Sequence, residues 1–158
     1  MKISKGFFKK KESMENPALC IIKTRDDAVI PSKAHETDAG YDLTVLSVYK
    51  TISPHLKLYD TGIKVAPNTP MMYTEIYARS SLMKQGYMLA NNVGIIDTDY
   101  RGPLLVALWK FDETCEDLKL PCKVAQLIPR LSIETDIIEV AELEETKRGT
   151  GGFGSTGV

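Results

Sequence analysis

Short strand-like segments recur along this chain at near-even spacing, with turn-forming residues between them. Met72–Ala78 is the clearest case. Tyr73, Glu75 and Tyr77 alternate there with Met72, Thr74, Ile76 and Ala78, the period of two expected of a half-buried strand. Leu19–Lys23 is a short apolar run, Asp42–Lys50 and Tyr59–Val65 are rich in β-branched and aromatic residues, and Val93–Ile96, Leu104–Phe111, Val124–Arg130 and Ile133–Val140 complete the set. Pro54, Pro67-Asn68-Thr69-Pro70, Asn91-Asn92, Arg101-Gly102-Pro103 and Pro121 punctuate them. Many short strands with such turns predict an all-β chain, a sandwich or barrel of jelly-roll type. Only one segment asks to be helical: Leu82–Gln85, capped by Ser80 or Ser81 and ended by Gly86.

A length of 158 residues suits one domain, and 43% hydrophobic with 26% charged residues is ordinary globular composition. The formal net charge of −1 gives no general pull toward nucleic acid or an anionic membrane. No apolar run approaches the roughly 20 residues that span a bilayer. No secretion-signal core is evident, so the expected location is intracellular, cytoplasm or nucleus. Lys2, Lys5, Lys9, Lys10 and Lys11 make the start basic. That stretch reads either as a disordered tail or as a localisation or interaction tag. Cys20, Cys115 and Cys122 lack metal-knuckle spacing and are expected to be free thiols. His35 and His55 are the only histidines, which leaves little room for His-based triads or imidazole-rich zinc sites. Chemistry must come from carboxylates, hydroxyls, arginines and backbone amides.

Three segments could supply it. Gly149-Thr150-Gly151-Gly152-Phe153-Gly154 matches G-x-G-x-x-G literally, but no strand–helix unit surrounds it, so it is not a dinucleotide fingerprint. Closely spaced glycine amides can still wrap an anion. Arg148 adds a cationic fork, and Ser155 and Thr156 add donors. By composition alone the segment is either a linker or a phosphate clamp. Gly94 through Gly102 delivers Asp97, Asp99 and Tyr100 from a strand into a turn; it is either a surface turn or an active-site loop with Asp97 as base. Ala78-Arg79-Ser80-Ser81-Leu82 leaves a strand for a helical turn, a place that suits phosphate or is simply a turn.

Together these segments resemble the trimeric deoxyuridine triphosphatase family, which is marked by five motifs in fixed order. Ala39-Gly40-Tyr41-Asp42-Leu43 is similar to the first, Ala78–Leu82 to the second and Asn91–Gly102 to the third. Pro121-Cys122-Lys123-Val124-Ala125-Gln126-Leu127-Ile128 is similar to the fourth, and Arg148–Gly157 to the fifth. The resemblance runs from about Ala34 to Val158. Two positions depart from it: Ser81 stands where the second motif commonly has glycine, and Cys122-Lys123 matches the fourth only in part.

The resemblance implies a distorted jelly roll, a β-sandwich-like barrel with one short helix. Composition and resemblance together divide the chain into a basic, disordered N-terminal tail over 1–17, a core over 18–143 and a flexible glycine-rich arm over 144–158. The resemblance implies Mg²⁺-assisted hydrolysis of dUTP to dUMP and pyrophosphate in a homotrimer with shared sites, an activity that keeps uracil out of DNA and supplies dUMP. No nucleic acid or membrane is required. Asp97 would be the general base, and Asp42 would meet Mg²⁺ through water. Arg79, Ser80, Ser81 and Gln126 would bind the phosphates; Arg148, Gly154, Ser155 and Thr156 would clamp the γ-phosphate. Phe153 would stack on uracil. Asn91, Gly94, Ile95 and Ile96 would line the base slot with Leu105, and Tyr100 would exclude a 2′-hydroxyl.

Two other readings compete. The homologous dCTP deaminases share Arg-Ser-Ser, but their catalytic glutamate falls five residues past the motif glycine, where this chain has Ala107. A binding protein that has lost catalysis is the second, and the intact Asp42, Asp97 and Tyr100 speak against it.

Overall fold

The computed structural model describes residues 16–151. Ten strands appear in chain order: β1 Leu19–Lys23, β2 Tyr41–Val45, β3 Ser47–Thr51, β4 Leu56–Asp60, β5 Ile63–Pro67, β6 Met72–Ala78, β7 Tyr87–Leu89, β8 Gly94–Ile96, β9 Leu105–Lys110 and β10 Cys122–Leu131. They form two four-stranded antiparallel sheets, β2-β10-β6-β8 and β3-β4-β9-β7, with β1 and β5 as a separate pair. This is the jelly roll expected. The only helical element among the described residues is the single 3₁₀ turn Met83–Gln85.

Alternation explains the core. Along β6, Met72, Thr74 and Ile76 are buried while the residues between them are only partly covered. Leu43 and Val45 of β2, Leu127 of β10, and Val106 and Leu108 of β9 join Ile76 in one buried cluster. Each fully buried aliphatic side chain contributes about 1.5–3 kcal/mol relative to exposure.

Two expected strands are each divided. Asp42–Lys50 breaks at Leu46, where the chain crosses from one sheet to the other and the Leu46 N–H donates to the Asp60 carbonyl (2.8 Å). Tyr59–Val65 breaks at Gly62, whose φ of 69° interrupts an extended chain; the Asp60 carboxylate accepts its N–H at 2.9 Å. The expected helix is shorter than proposed. Gly86 does end it, with φ 78°, but neither serine caps it: Leu82 is the N-cap and no side-chain bond is made there. Tyr87–Leu89 is a strand that the sequence pattern did not reveal, being only three residues long.

Ile133–Val140, expected as a strand, forms none. Ile133, Ile137 and Ile138 are 83%, 100% and 76% exposed. A strand needs a partner for its backbone groups, and this segment pairs with no strand among the described residues.

Candidate active site

The outer face of the sheet β2-β10-β6-β8 carries one group of the expected residues. Asp42 on β2 lies opposite Gln126 on β10. Arg79 follows β6 directly, and its N–H is held by the Val124 carbonyl at 3.0 Å. Its Nε lies 3.1 Å from one Asp42 oxygen, and Lys123 Nζ lies 3.1 Å from the other. The Asp42 side chain is only 15% exposed, so one sheltered carboxylate orders two cations. Ser80 and Ser81 sit exposed beside them. The turn they form is fastened by the fully buried Leu82, whose N–H donates to the Arg79 carbonyl. Gly40 is bare for a local reason: a Cβ there would fall 2.5 Å from Gln126 Oε1 and 3.0 Å from its Cβ.

Sequence reading missed Lys123 on Asp42. The register shifts between Lys123 and Ala125, and such a bulge re-aims a side chain that simple alternation would send to the other face.

The second group surrounds a cleft of about 230 Å³ lined by Ile95, Ile96, Asp97, Tyr100, Pro103 and Leu105. Five of these six were expected from sequence; Pro103 was not, although its place beside Gly102 in the same turn could have signalled it. The cleft is smaller than the ~300–1,000 Å³ of most complete small-ligand sites. Two larger hollows lie elsewhere. One, about 510 Å³ and mostly apolar, borders β1; the other, about 330 Å³, contains Cys115 and Cys122. Neither holds any of the expected site residues, so volume is a poorer guide here than chemistry.

Local packing builds the cleft. β8 pairs with β6 through Gly94↔Ile76 and Thr74↔Ile96. Gly94 lets the strands lie close, since a Cβ there would meet the Ile76 Cβ at 3.2 Å and Asn91 Nδ2 at 3.4 Å. Asn91 is thereby placed against the start of β8. Beyond Ile96 the chain turns: the Tyr100 N–H donates to the Asp97 carbonyl at 3.1 Å, and the Tyr100 hydroxyl to the Pro103 carbonyl at 3.0 Å. Gly102 leaves room for that ring in its present place, because a Cβ would overlap the Tyr100 hydroxyl. Asp97 is exposed and takes part in none of the ion pairs among the described residues. The two aspartates therefore differ in kind: Asp42 is neutralised twice and Asp97 is not.

One chain does not bring the two groups together. Asp97 leaves β8 beyond the Thr74 end of β6, whereas Arg79 leaves β6 five residues further on. At about 3.3 Å per residue that is a separation of roughly 17 Å. Between them Glu75 accepts from Arg130 Nε (2.7 Å), Tyr77 Oη (2.8 Å) and Tyr73 Oη (3.0 Å). Those donors, Arg130 foremost, hold its carboxyl below the usual carboxylate range.

The third group is the arm. Arg148 Nε donates to the Gly151 carbonyl at 2.9 Å, and Gly149 takes φ 51°. Phe153, Gly154, Ser155 and Thr156 lie outside the described residues. Among the described residues no cluster of three or more His, Cys, Asp or Glu side chains forms a metal cage.

Comparison with known proteins bears on the family and the fold. The family model described as dUTPase matches residues 26–157. The deoxyuridine 5′-triphosphate nucleotidohydrolase of Clostridioides difficile is 38% identical over 142 residues, covering 88% of this chain and 97% of that protein. That of Solanum lycopersicum is 36% identical over 143 residues, 90% of this chain and 83% of that protein. Among solved structures, a point mutant of the Staphylococcus bacteriophage 80alpha dUTPase with dUpNHpp superposes with TM-score 0.70 at 21% identity, covering 89% of this chain and 99% of that one. A mutant dUTPase from phage phi11 of S. aureus, described with a structural Mg(II) ion, gives TM-score 0.67 at 20% identity over 81% of this chain and 99% of its own.

Proposed function

The chain belongs to the dUTPase family, and from that premise we propose that it hydrolyses dUTP to dUMP and pyrophosphate with Asp97 as the base. The observation that carries this reading is the Asp97 carboxylate, unpaired among the described residues, at a cleft walled by Ile95, Ile96, Tyr100 and Leu105. Uracil enters this cleft, read by Asn91 and the backbone of Gly94–Ile96, and the wall leaves no space for the 5-methyl of thymine. Tyr100 lies under the deoxyribose and excludes a 2′-hydroxyl. Asp97 holds a water in line with the α-phosphorus and takes its proton as the water attacks, and the α–β bond breaks toward pyrophosphate. A carboxylate is a weak base, so orientation and charge stabilisation supply most of the rate.

Arg79, Ser80, Ser81 and Gln126 bind the triphosphate. Arg148, Gly154, Ser155 and Thr156 close over its end, and Phe153 stacks on the base. The donor set fits Mg²⁺ only as an ion carried by the phosphates. Asp42 is already held by Arg79 and Lys123, which suits contact through water and not direct ligation. When bound, the ion would neutralise charge on the departing pyrophosphate.

The roughly 17 Å between Arg79 and the Asp97 end of β6 is too long for the short Ser80 and Ser81 side chains and Asp97 to meet on adjacent atoms of one triphosphate. A homotrimer, in which one copy supplies the cleft and its neighbour the phosphate face, removes the difficulty. Ile133, Ile137, Ile138 and Leu143, uncovered within one chain, are suited to burial against another copy. The test is pyrophosphate release from dUTP, dTTP, dCTP and UTP, with and without excess chelator. Selective, chelator-sensitive release from dUTP is expected; equal turnover of UTP or dTTP would refute the reading.

A further inference from the structure

Arg101 sits in the turn that carries Asp97, Asp99 and Tyr100, is exposed, and pairs with no carboxylate among the described residues. A surface guanidinium two residues from one aspartate and four from another would ordinarily face one of them. Instead a single nitrogen, Nη1, donates to two backbone carbonyls, those of Thr98 and Tyr100, at 2.8 Å each. These carbonyls lie past the end of β8, where no ladder partner is left for them. The rest of the turn is tied as tightly: Thr98 Oγ1 donates to the Met72 carbonyl at 2.8 Å, and the Tyr100 hydroxyl to that of Pro103 at 3.0 Å.

We infer that Arg101 is a positioning residue: by bridging the Thr98 and Tyr100 carbonyls it fixes Tyr100 relative to Asp97 while leaving the Asp97 carboxylate without a counter-ion. The inference rests on the proposal that Asp97 and Tyr100 act on dUTP. Its consequence is specific. One arginine couples the rate of water attack to the choice of sugar, because both depend on the same turn. A shift of about 1 Å at such a site is enough to lower turnover roughly 100-fold.

The experiment compares Arg101→Ala and Arg101→Lys with the unmodified chain. Arg101→Ala should lower kcat for dUTP about 10- to 100-fold and reduce the preference for dUTP over UTP about tenfold. The thermal midpoint should hold, and amide exchange across residues 97–103 should quicken. Arg101→Lys keeps several donors on one nitrogen and should recover most of both losses. A rise in KM alone, with kcat and sugar preference intact, would overturn the inference in favour of direct phosphate binding. An equal fall for every substrate together with a lower thermal midpoint would overturn it in favour of a purely structural role. Quickened exchange with unchanged catalysis would also overturn it. If the unmodified chain fails to hydrolyse dUTP, the parent reading falls and this one falls with it; the exchange result then shows separately that the bridge orders the turn.

Discussion

Asp97 and Asp42 were both legible as candidates from sequence, because each stands inside a short motif. Their difference was not. It arises from Arg79 and from Lys123, which lies 81 residues along the chain from Asp42, with a bulge turning it toward that carboxylate. On this contrast Asp97→Asn should retain nucleotide binding and lose at least about 100-fold in kcat, the usual scale of general-base catalysis. Single-turnover kinetics with a direct binding measurement separate the two; a variant within a few-fold of the unmodified chain would place the base elsewhere. Gly40 gives a less obvious case. Its methyl in Gly40→Ala would strike Gln126, so the amide must move from the phosphate face. The loss of one hydrogen bond to a charged group, about 1.5–3 kcal/mol, predicts a KM for dUTP raised roughly tenfold or more, with base selection unchanged. Selection among nucleotides by steady-state kinetics is the check.

At the level of elements, β1 and β6 were readable residue for residue, β1 as a short apolar run and β6 by its alternation. The failures share a cause. Leu46 and Gly62 divide strands where the chain changes sheets, and Ile133–Val140 has strand composition but pairs with no strand among the described residues. Pairing partners, not propensity, decide such segments. β6 and β10 also carry the Glu75–Arg130 pair, which gives a pH prediction. The folded-state pKa of Glu75 is lowered, so its stabilisation is fully present above the unfolded value near ~4.3 and fades as pH falls through the lower folded value. Thermal midpoints of the unmodified chain and Glu75→Gln should therefore differ most near neutrality and converge below about pH 4. A difference that grows on acidification would contradict the assignment.

On the scale of the whole molecule, the two proposed half-sites fall at opposite ends of β6, and the described part of the arm lies outside the core. Truncation after Thr146 removes an arm whose described residues, Lys147–Gly151, contribute nothing to the buried cluster. It should leave an assembled protein that binds dUMP but turns dUTP over poorly, as gel filtration, calorimetry with dUMP and pyrophosphate release would register. Full activity would make the arm a linker. The central claim is that the base and the phosphate grip of one working site come from different copies. Its most direct test is to co-express Asp97→Asn with Arg79→Ala, each nearly inactive alone, and measure pyrophosphate release from dUTP by the mixed assembly. Random assembly in a closed ring joins an intact Asp97 to a neighbour's intact Arg79 at about one site in four, so about a quarter of the unmodified activity should return. Mixed assemblies no more active than either parent would contradict a shared site.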